Sequence, residues 1–266
     1  MNARWVASQQ LRLERTRPST PEGDVAAERR LLRDVAGAGA GAVTFPLGRS
    51  SVLAQRTRVI DAEVARALGR GTTQVVLLGS GYDGRSLRFR SDRVRWFEVD
   101  RPATQADKRR RFDALGVDTP GTTSVGLDLL DGGGALGGAL EEAGHDAGAA
   151  SLFVCEGLLD SLTLEAGATL CRTARDRAAP GSALVATCTV EPEAGVPARA
   201  LRAVTDLVRQ ATDERRRTAF QPGDLQKLMV VTGWRVTHAE SSAERRLDPG
   251  AHALVLVCEP DEGRLA

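Results

Sequence analysis

Between residues 74 and 100 the chain carries groups whose types and spacing suit the binding of a nucleotide. The run Gln74-Val75-Val76-Leu77-Leu78 is apolar and β-prone, and it passes into Gly79-Ser80-Gly81-Tyr82-Asp83-Gly84, a G-x-G-x-x-G spacing. Glycines without a Cβ let backbone N–H groups approach a ligand closely, and a helix that starts there turns its positive dipole end toward it. A second strand-like run, Arg93–Val99, leads to Asp100, about twenty residues after Gly79, where an acid can accept hydrogen bonds from both hydroxyls of a ribose. Glu98 shares a strand face with Asp100, two residues earlier. Ligands of such sheets bind beyond the carboxyl ends of the strands, so Asp100 is the ribose candidate and Glu98 the structural one. The glycine spacing alone does not choose between a dinucleotide and another nucleoside cofactor.

Two more acids follow strand-like runs. In Gly126-Leu127-Asp128-Leu129-Leu130-Asp131 a short acid flanked by leucines can accept from an adenine amino group while its apolar neighbours sandwich the ring. Asp128 as the N-cap of a helix fits the same letters. In Leu152-Phe153-Val154-Cys155-Glu156-Gly157-Leu158-Leu159 an ionisable residue comes directly after a buried strand, at the ligand-binding edge of the sheet. His145, His238 and His252 stand beside none of these motifs and are expected to be structural or on the surface. Cys155, Cys171, Cys188 and Cys258 show neither a C-x-x-C pair nor metal-ligand spacing, so no metal is expected. Buried, inert thiols and a reducing cytoplasm fit this usage.

The elements that must position these residues alternate. Strands are expected at 74–78, 93–99, near 123–126, 151–155 and 182–190, and helices from 84, over 102–115, within 131–148 and over 163–178. Helices near 197–213 and 222–232 lead to two last strands, 234–239 and 251–258, which no long helix separates. This is an α/β pattern: a doubly wound, Rossmann-like, mostly parallel sheet ending in an antiparallel hairpin. Upstream, helices are expected over 1–17, from an Asp24 cap to about Val35, and over 51–68. The chain therefore divides into an N-terminal helical cap or lid, residues 1–70, and a core, residues 71–266, with a lid insertion near 191–222.

Composition narrows the partners. The 266 residues carry 36 basic against 35 acidic side chains, a net charge of +1, which gives no electrostatic case for nucleic acid. Only Lys108 and Lys227 are lysines, so 34 of the basic residues are arginine; most are read as solvated surface. The N-terminus lacks the apolar stretch of a signal peptide, and no run approaches a membrane span, so a cytoplasmic protein with no membrane partner is expected.

Taken together, these residues resemble the leucine carboxyl methyltransferase family of class I S-adenosylmethionine-dependent methyltransferases, in its bacterial branch. The carrying segments are Leu78-Gly79-Ser80-Gly81-Tyr82-Asp83-Gly84-Arg85, Phe97-Glu98-Val99-Asp100-Arg101-Pro102, Lys108-Arg109-Arg110, Asp128-Leu129 and Glu156-Gly157. The resemblance implies a seven-stranded sheet, S-adenosyl-L-methionine as cofactor, and methyl transfer to a small-molecule or carboxylate acceptor. It implies that Gly79, Ser80 and Gly81 line the cofactor and that Asp100 holds the ribose. Asp128 and Leu129 would take the adenine, Glu156 the methionine end, and Arg56, within Arg56-Thr57-Arg58, the carboxylate. Relatives often have Tyr five residues after the Glu, where this chain has Ser161, and the usual Asp-Pro element near the N-terminus is missing. Arg12 is the nearest match to a basic residue that touches the cofactor in some relatives. These departures fall on the acceptor pocket, so neither the acceptor nor a catalytic residue carries over. An ionised carboxylate or acidic phenol, which needs no base, suits the lack of a histidine at the motifs. An NAD-dependent oxidoreductase and a degenerate protein that binds S-adenosylmethionine without turnover are the competing readings.

Overall fold

The computed structural model describes residues 3–13, 17–37, 47–130, 133–190, 222–241 and 252–264. Seven strands form one sheet: β1 (Gln74–Leu78), β2 (Arg95–Asp100), β3 (Thr122–Gly126), β4 (Ser151–Cys155), β5 (Ala183–Val190), β6 (Trp234–Ser241) and β7 (His252–Pro260). Their order is β3-β2-β1-β4-β5-β7-β6. The first five run parallel, and β7 lies antiparallel between β5 and β6. The doubly wound sheet with a terminal antiparallel hairpin is therefore present. Every residue of β1 and β4 is buried, as central parallel strands covered on both faces must be.

Alternation along β1 assigns its side chains to two layers. Val76 and Leu78 join Phe97, Phe153 and Trp234 under α6 (Leu136–Glu142), α7 (Leu164–Asp176) and α8 (Pro222–Val231). Val75 and Leu77 face the other way, onto Ile60 and Val64 of the long helix α3 (Leu47–Gly69). A third cluster joins Ala7 of α1 (Ala3–Leu13) and Leu31, Leu32 and Val35 of α2 (Val25–Ala36) to Phe112 of α5 (Pro102–Leu115). Pro102 opens α5 in its first turn, and Gly116 ends it in the left-handed conformation at φ +58°. Asp24 caps α2 as expected, accepting from the Ala27 N–H at 2.8 Å.

The helix expected from residue 84 is a single turn, α4 (Arg85–Arg88). Residues 17–28 occupy the surface that a longer helix would take. The Asp24 N–H donates to the Leu87 carbonyl at 2.8 Å, and the Thr20 hydroxyl donates to the Arg90 carbonyl at 2.5 Å. The contact is close enough that a Cβ on Gly23 would stand 1.9 Å from the Arg88 carbonyl oxygen. Arg93 lies in a turn, so β2 begins two residues later than its sequence suggested. The 191–221 insertion, with the helix expected near 197–213, lies outside the described residues. No helix among the described residues is long and apolar enough to cross a membrane.

Candidate cofactor site

The carboxyl ends of β3, β2, β1 and β4 are neighbours along one edge of the sheet, and each delivers one of the sequence candidates. Strands are spaced by about 4.8 Å, so the four ends span roughly 14 Å. The glycine turn is drawn onto β2: the N–H groups of Gly79 and Ser80 both donate to the Val99 carbonyl, at 2.9 and 3.0 Å. Gly79 (φ +71°) and Gly81 (φ +48°) are left-handed, which favours glycine at both. A Cβ on Gly81 would meet nothing within 4 Å, so this part of the turn faces open space.

Asp100 holds the turn in place. Its Oδ2 accepts from the Gly81 N–H and its Oδ1 from the Arg101 N–H, both at 2.7 Å. Each oxygen keeps a second lone pair. Glu98 is spent inside the fold: Oε1 accepts from the Ser86 hydroxyl at 2.7 Å and Oε2 from Lys108 Nζ at 2.6 Å, with both charged groups 1% exposed. Glu98 is thus the structural acid, while Asp100 stands at the end of its strand with acceptor capacity left over. The Ser80 hydroxyl accepts from Gln105 Nε2 of α5 at 3.1 Å, and its backbone is engaged by Val99 and Asp83, so Ser80 shapes the turn.

Beyond β3, Asp128 is exposed, and its Oδ1 accepts from the Leu130 N–H at 3.0 Å. This is an Asx turn rather than a helix cap. Leu129 is buried in the main core, and the partly buried Leu127 and Leu130 flank Asp128. Leu129 therefore presents backbone at this edge rather than an apolar side chain.

Glu156 leaves β4 through Gly157 (φ +71°), whose N–H donates to the Thr187 hydroxyl at 2.8 Å. The carboxylate lies between two guanidiniums: Arg56 Nε donates to Oε1 at 2.8 Å and Arg85 Nη1 to Oε2 at 2.6 Å. Burial alone would raise the Glu156 pKa, but Arg85 and Arg56 outweigh it and hold the carboxyl at about 2. Arg85 continues the chain of charges, donating from Nε to Asp61 Oδ1 at 2.7 Å and from Nη1 to Asp83 Oδ2 at 2.5 Å. Asp61 takes its second guanidinium from Arg17, at 2.6 Å, and Arg17 also pairs with Glu28, which binds Arg88. Four cations and four anions balance in this network, and most of it is buried. Burial pushes the Glu28 carboxyl up against the pull of Arg17 and Arg88.

Sequence reasoning had brought Arg56 and Glu156 to the site separately; the structure joins them. It missed Arg85, Asp83, Asp61, Arg17, Glu28 and Arg88 as members. The Asp83-x-Arg85 spacing inside the glycine motif was the available signal. Arg17, not the exposed Arg12, is the N-terminal basic residue that reaches this network. Ser161 ends a short 3-10 turn (Leu159–Ser161), where Asp160 accepts from both the N–H and the hydroxyl of Thr189 at 2.8 Å. His145 sits at the opposite end of the sheet, against Phe97 and bonded to the Ser151 hydroxyl. Burial, with Arg177 nearby, pushes its pKa down to about 4. His238 is exposed on the outer strand β6, and the His252 side chain lies outside the described residues. All four thiols are free and buried, with Cys171 and Cys258 pushed up to about 12 by burial. Among the described residues no acid, His and Cys cluster could hold a metal.

The profile of the leucine carboxyl methyltransferase family matches residues 23–175. The chain belongs to this family. The matched stretch contains the strand-end candidates and every network residue except Arg17. A Streptomyces coelicolor relative, named for S-adenosyl-L-methionine-dependent methyl transfer, is 42% identical over 134 residues, covering 48% of this chain and 43% of the relative. A Mycolicibacterium smegmatis relative with the same kind of name is 33% identical over 163 residues, covering 60% of this chain and 53% of the relative. The chain thus spans about half the length of the curated relatives it matches. Among solved structures, a Thermobifida fusca protein named for methyl transfer superposes with a TM-score of 0.59 at 18% identity, covering 91% of this chain and 95% of that one. The magnesium protoporphyrin IX methyltransferase of Synechocystis, solved with bound S-adenosylhomocysteine, superposes at 0.53 with 13% identity, covering 88% and 93%. The fold of this family member is that of class I methyltransferases.

Proposed function

We propose that this family member is an S-adenosylmethionine-dependent methyltransferase that delivers the methyl group to an oxygen of a small-molecule acceptor. One observation carries the reading: Asp128, Asp100, the Gly79–Gly81 turn and the Arg56–Glu156 pair lie in that order along one edge of the sheet. Adenine, ribose and a zwitterionic amino-acid end follow one another in the same order in the cofactor. The residues fit the group: Gly81 borders open space, Asp100 keeps free lone pairs, and Glu156 and Arg56 supply opposite charges for ammonium and carboxylate. The bound cofactor supplies an activated methyl group on a sulfonium. The protein's part is to align an acceptor with it and to keep water out.

The acceptor best suited is a carboxylate or an acidic phenol, which arrives ionised. His145 is at the wrong end of the sheet and His238 three strands beyond β4, so neither stands at this edge as a base. Helices α1 and α2 are read as the cap over the acceptor, and the protein works in the cytoplasm. The oxidoreductase reading is disfavoured because the N–H groups that would cradle a pyrophosphate are already given to Val99 and Asp100.

Titration calorimetry against S-adenosylhomocysteine, 5′-methylthioadenosine and NAD tests the cofactor. Binding of NAD without S-adenosylhomocysteine overturns the proposal. Transfer of a labelled methyl group to a panel of carboxylic acids and phenols then tests the acceptor class. Labelling confined to amines or thiols would refute oxygen as the target.

A further inference from the structure

Glu156 and Asp61 share one guanidinium, that of Arg85. Arg85 binds Glu156 through Nη1, and the same guanidinium is bound through Nε by Asp61, a fully buried residue of α3. The other oxygen of Asp61 is held by Arg17, 2.6 Å away and equally buried. A planar guanidinium fixed at Nε has little freedom to turn at Nη1. We propose that Asp61 is a positioning residue, which orients Arg85 and so sets the Glu156 carboxylate for the amino-acid end of the cofactor, and that Arg17 ties this setting to the segment 17–28. The proposal rests on the assignment of that end of the site to the methionine moiety.

The segment is built to transmit the setting. Arg17 precedes a stretch that is fastened to the α4 turn by the Asp24 N–H, by the Thr20 hydroxyl and by the Arg88–Glu28 pair. Gly23 allows backbone to meet backbone there, and Gly84 leaves room for Glu28, whose Cγ would stand 2.4 Å from a Cβ at that position. A ligand that stabilises one arrangement of Glu156 and Arg85 must then stabilise the docked form of residues 17–28, and by linkage the reverse holds. The adenosine half is assigned to the ends of β1, β2 and β3, where the side chains of Asp100 and Asp128 accept from neighbouring backbone N–H groups and not from this network.

Two measurements on the full chain test this. In the first, Asp61→Asn keeps the shape and removes the charge. S-adenosylhomocysteine should bind on the order of tenfold or more weakly, the scale seen for outer-shell partners of metal ligands. Binding of 5′-methylthioadenosine, which lacks the amino-acid end, should be unchanged. A purely structural role would weaken both ligands alike, and equal losses, or an unchanged S-adenosylhomocysteine affinity, overturn the proposal. The second measurement needs no variant and decides the matter if Asp61→Asn does not fold. Amide hydrogen exchange over residues 17–28 of the wild type should slow with saturating S-adenosylhomocysteine and not with saturating 5′-methylthioadenosine. Equal protection by the two overturns the positioning role. A wild type that binds neither ligand instead refutes the assignment of the cofactor.

Discussion

Replacing Glu156 by Gln tests the site and the network at once, because the side chain keeps its shape and loses only its charge. The carboxylate accepts from Arg56 and Arg85 at 2.8 and 2.6 Å and is 13% exposed, so solvent screens it little. A carboxyl held at about 2 instead of 4.5 has its ionised form stabilised by about 3 kcal/mol, at about 1.4 kcal/mol per pH unit. Gln leaves no cavity, so no packing loss adds to this. Its carbonyl can satisfy one guanidinium, but its amide turns donors toward the other, and the network keeps an uncompensated positive charge. The variant should therefore be about 3 kcal/mol less stable near pH 7.

The pH dependence gives the sharper test. The folded pKa of Glu156 is depressed, so its contribution is complete above pH 4.5 and is lost as pH falls toward 2. The difference between wild type and variant should shrink to about 1.4 kcal/mol near pH 3. His145 acts in a different window. Its pKa falls from 6.5 to about 4 on folding, so it supports the fold above pH 6.5 and ceases to do so as pH drops through that range. Both proteins carry His145, so its effect cancels in the difference. Urea unfolding of the pair from pH 7 to pH 3 measures it. Equal stability at pH 7, or a gap that stays constant down to pH 3, would refute the reasoning. In turnover, Glu156→Gln should raise the cofactor KM and lower kcat less than about tenfold, whereas loss of a general base would cut kcat by roughly 10²–10⁴ with binding intact.

Asp100→Ala removes the acceptor for the ribose hydroxyls and the clasp on Gly81, and calorimetry should show S-adenosylhomocysteine binding weakened by about 2–3 kcal/mol. Unchanged affinity would remove Asp100 from the site. Arg56→Ala should weaken S-adenosylhomocysteine and spare 5′-methylthioadenosine, with the exposed Arg58 as the control position; equal losses would mean that Arg56 serves the fold. Gly23→Ala drives a Cβ to 1.9 Å from the Arg88 carbonyl and should lower stability in thermal melts by about 1–3 kcal/mol. Gly138→Ala, in α6 with nothing within 4 Å, should raise it by about 1 kcal/mol. A tolerated Gly23→Ala would show that the 17–28 segment is not seated on α4.

The sheet was legible because periodicity and strand-end acids are local signals. Runs such as Val75–Leu78 and Leu152–Cys155 are apolar on both faces, Asp100 ends β2 and Glu156 directly follows β4. The network was not legible, because its members lie at positions 17, 28, 56, 61, 83, 85, 88 and 156 and only folding joins them. Most of the 34 arginines were read as solvated surface, and nothing local marks Arg17 and Arg88 as buried exceptions. The one-turn α4 was missed for a related reason. Its length is set by residues 17–28 lying across it, some sixty positions earlier in the chain.

The glycine motif illustrates how letters underdetermine a site that geometry separates. G-x-G-x-x-G suits any ligand that needs backbone approach, and what distinguishes ligands is where the N–H groups point. Here Gly79 and Ser80 donate to the Val99 carbonyl, Gly81 to Asp100 and Asp83 to the Ser80 carbonyl, so the turn spends its donors on itself and on β2. A pyrophosphate would have to displace these bonds and would bring negative charge toward Asp100, Asp83 and Glu156. A neutral nucleoside sugar asks only for acceptors, which Asp100 has left over. A zwitterion at the β4 end adds no net charge to a network already balanced at four against four, so it can enter without leaving a buried charge unpaired. On the proposed reading, the charge balance around Glu156 discriminates among ligands more narrowly than the glycines do.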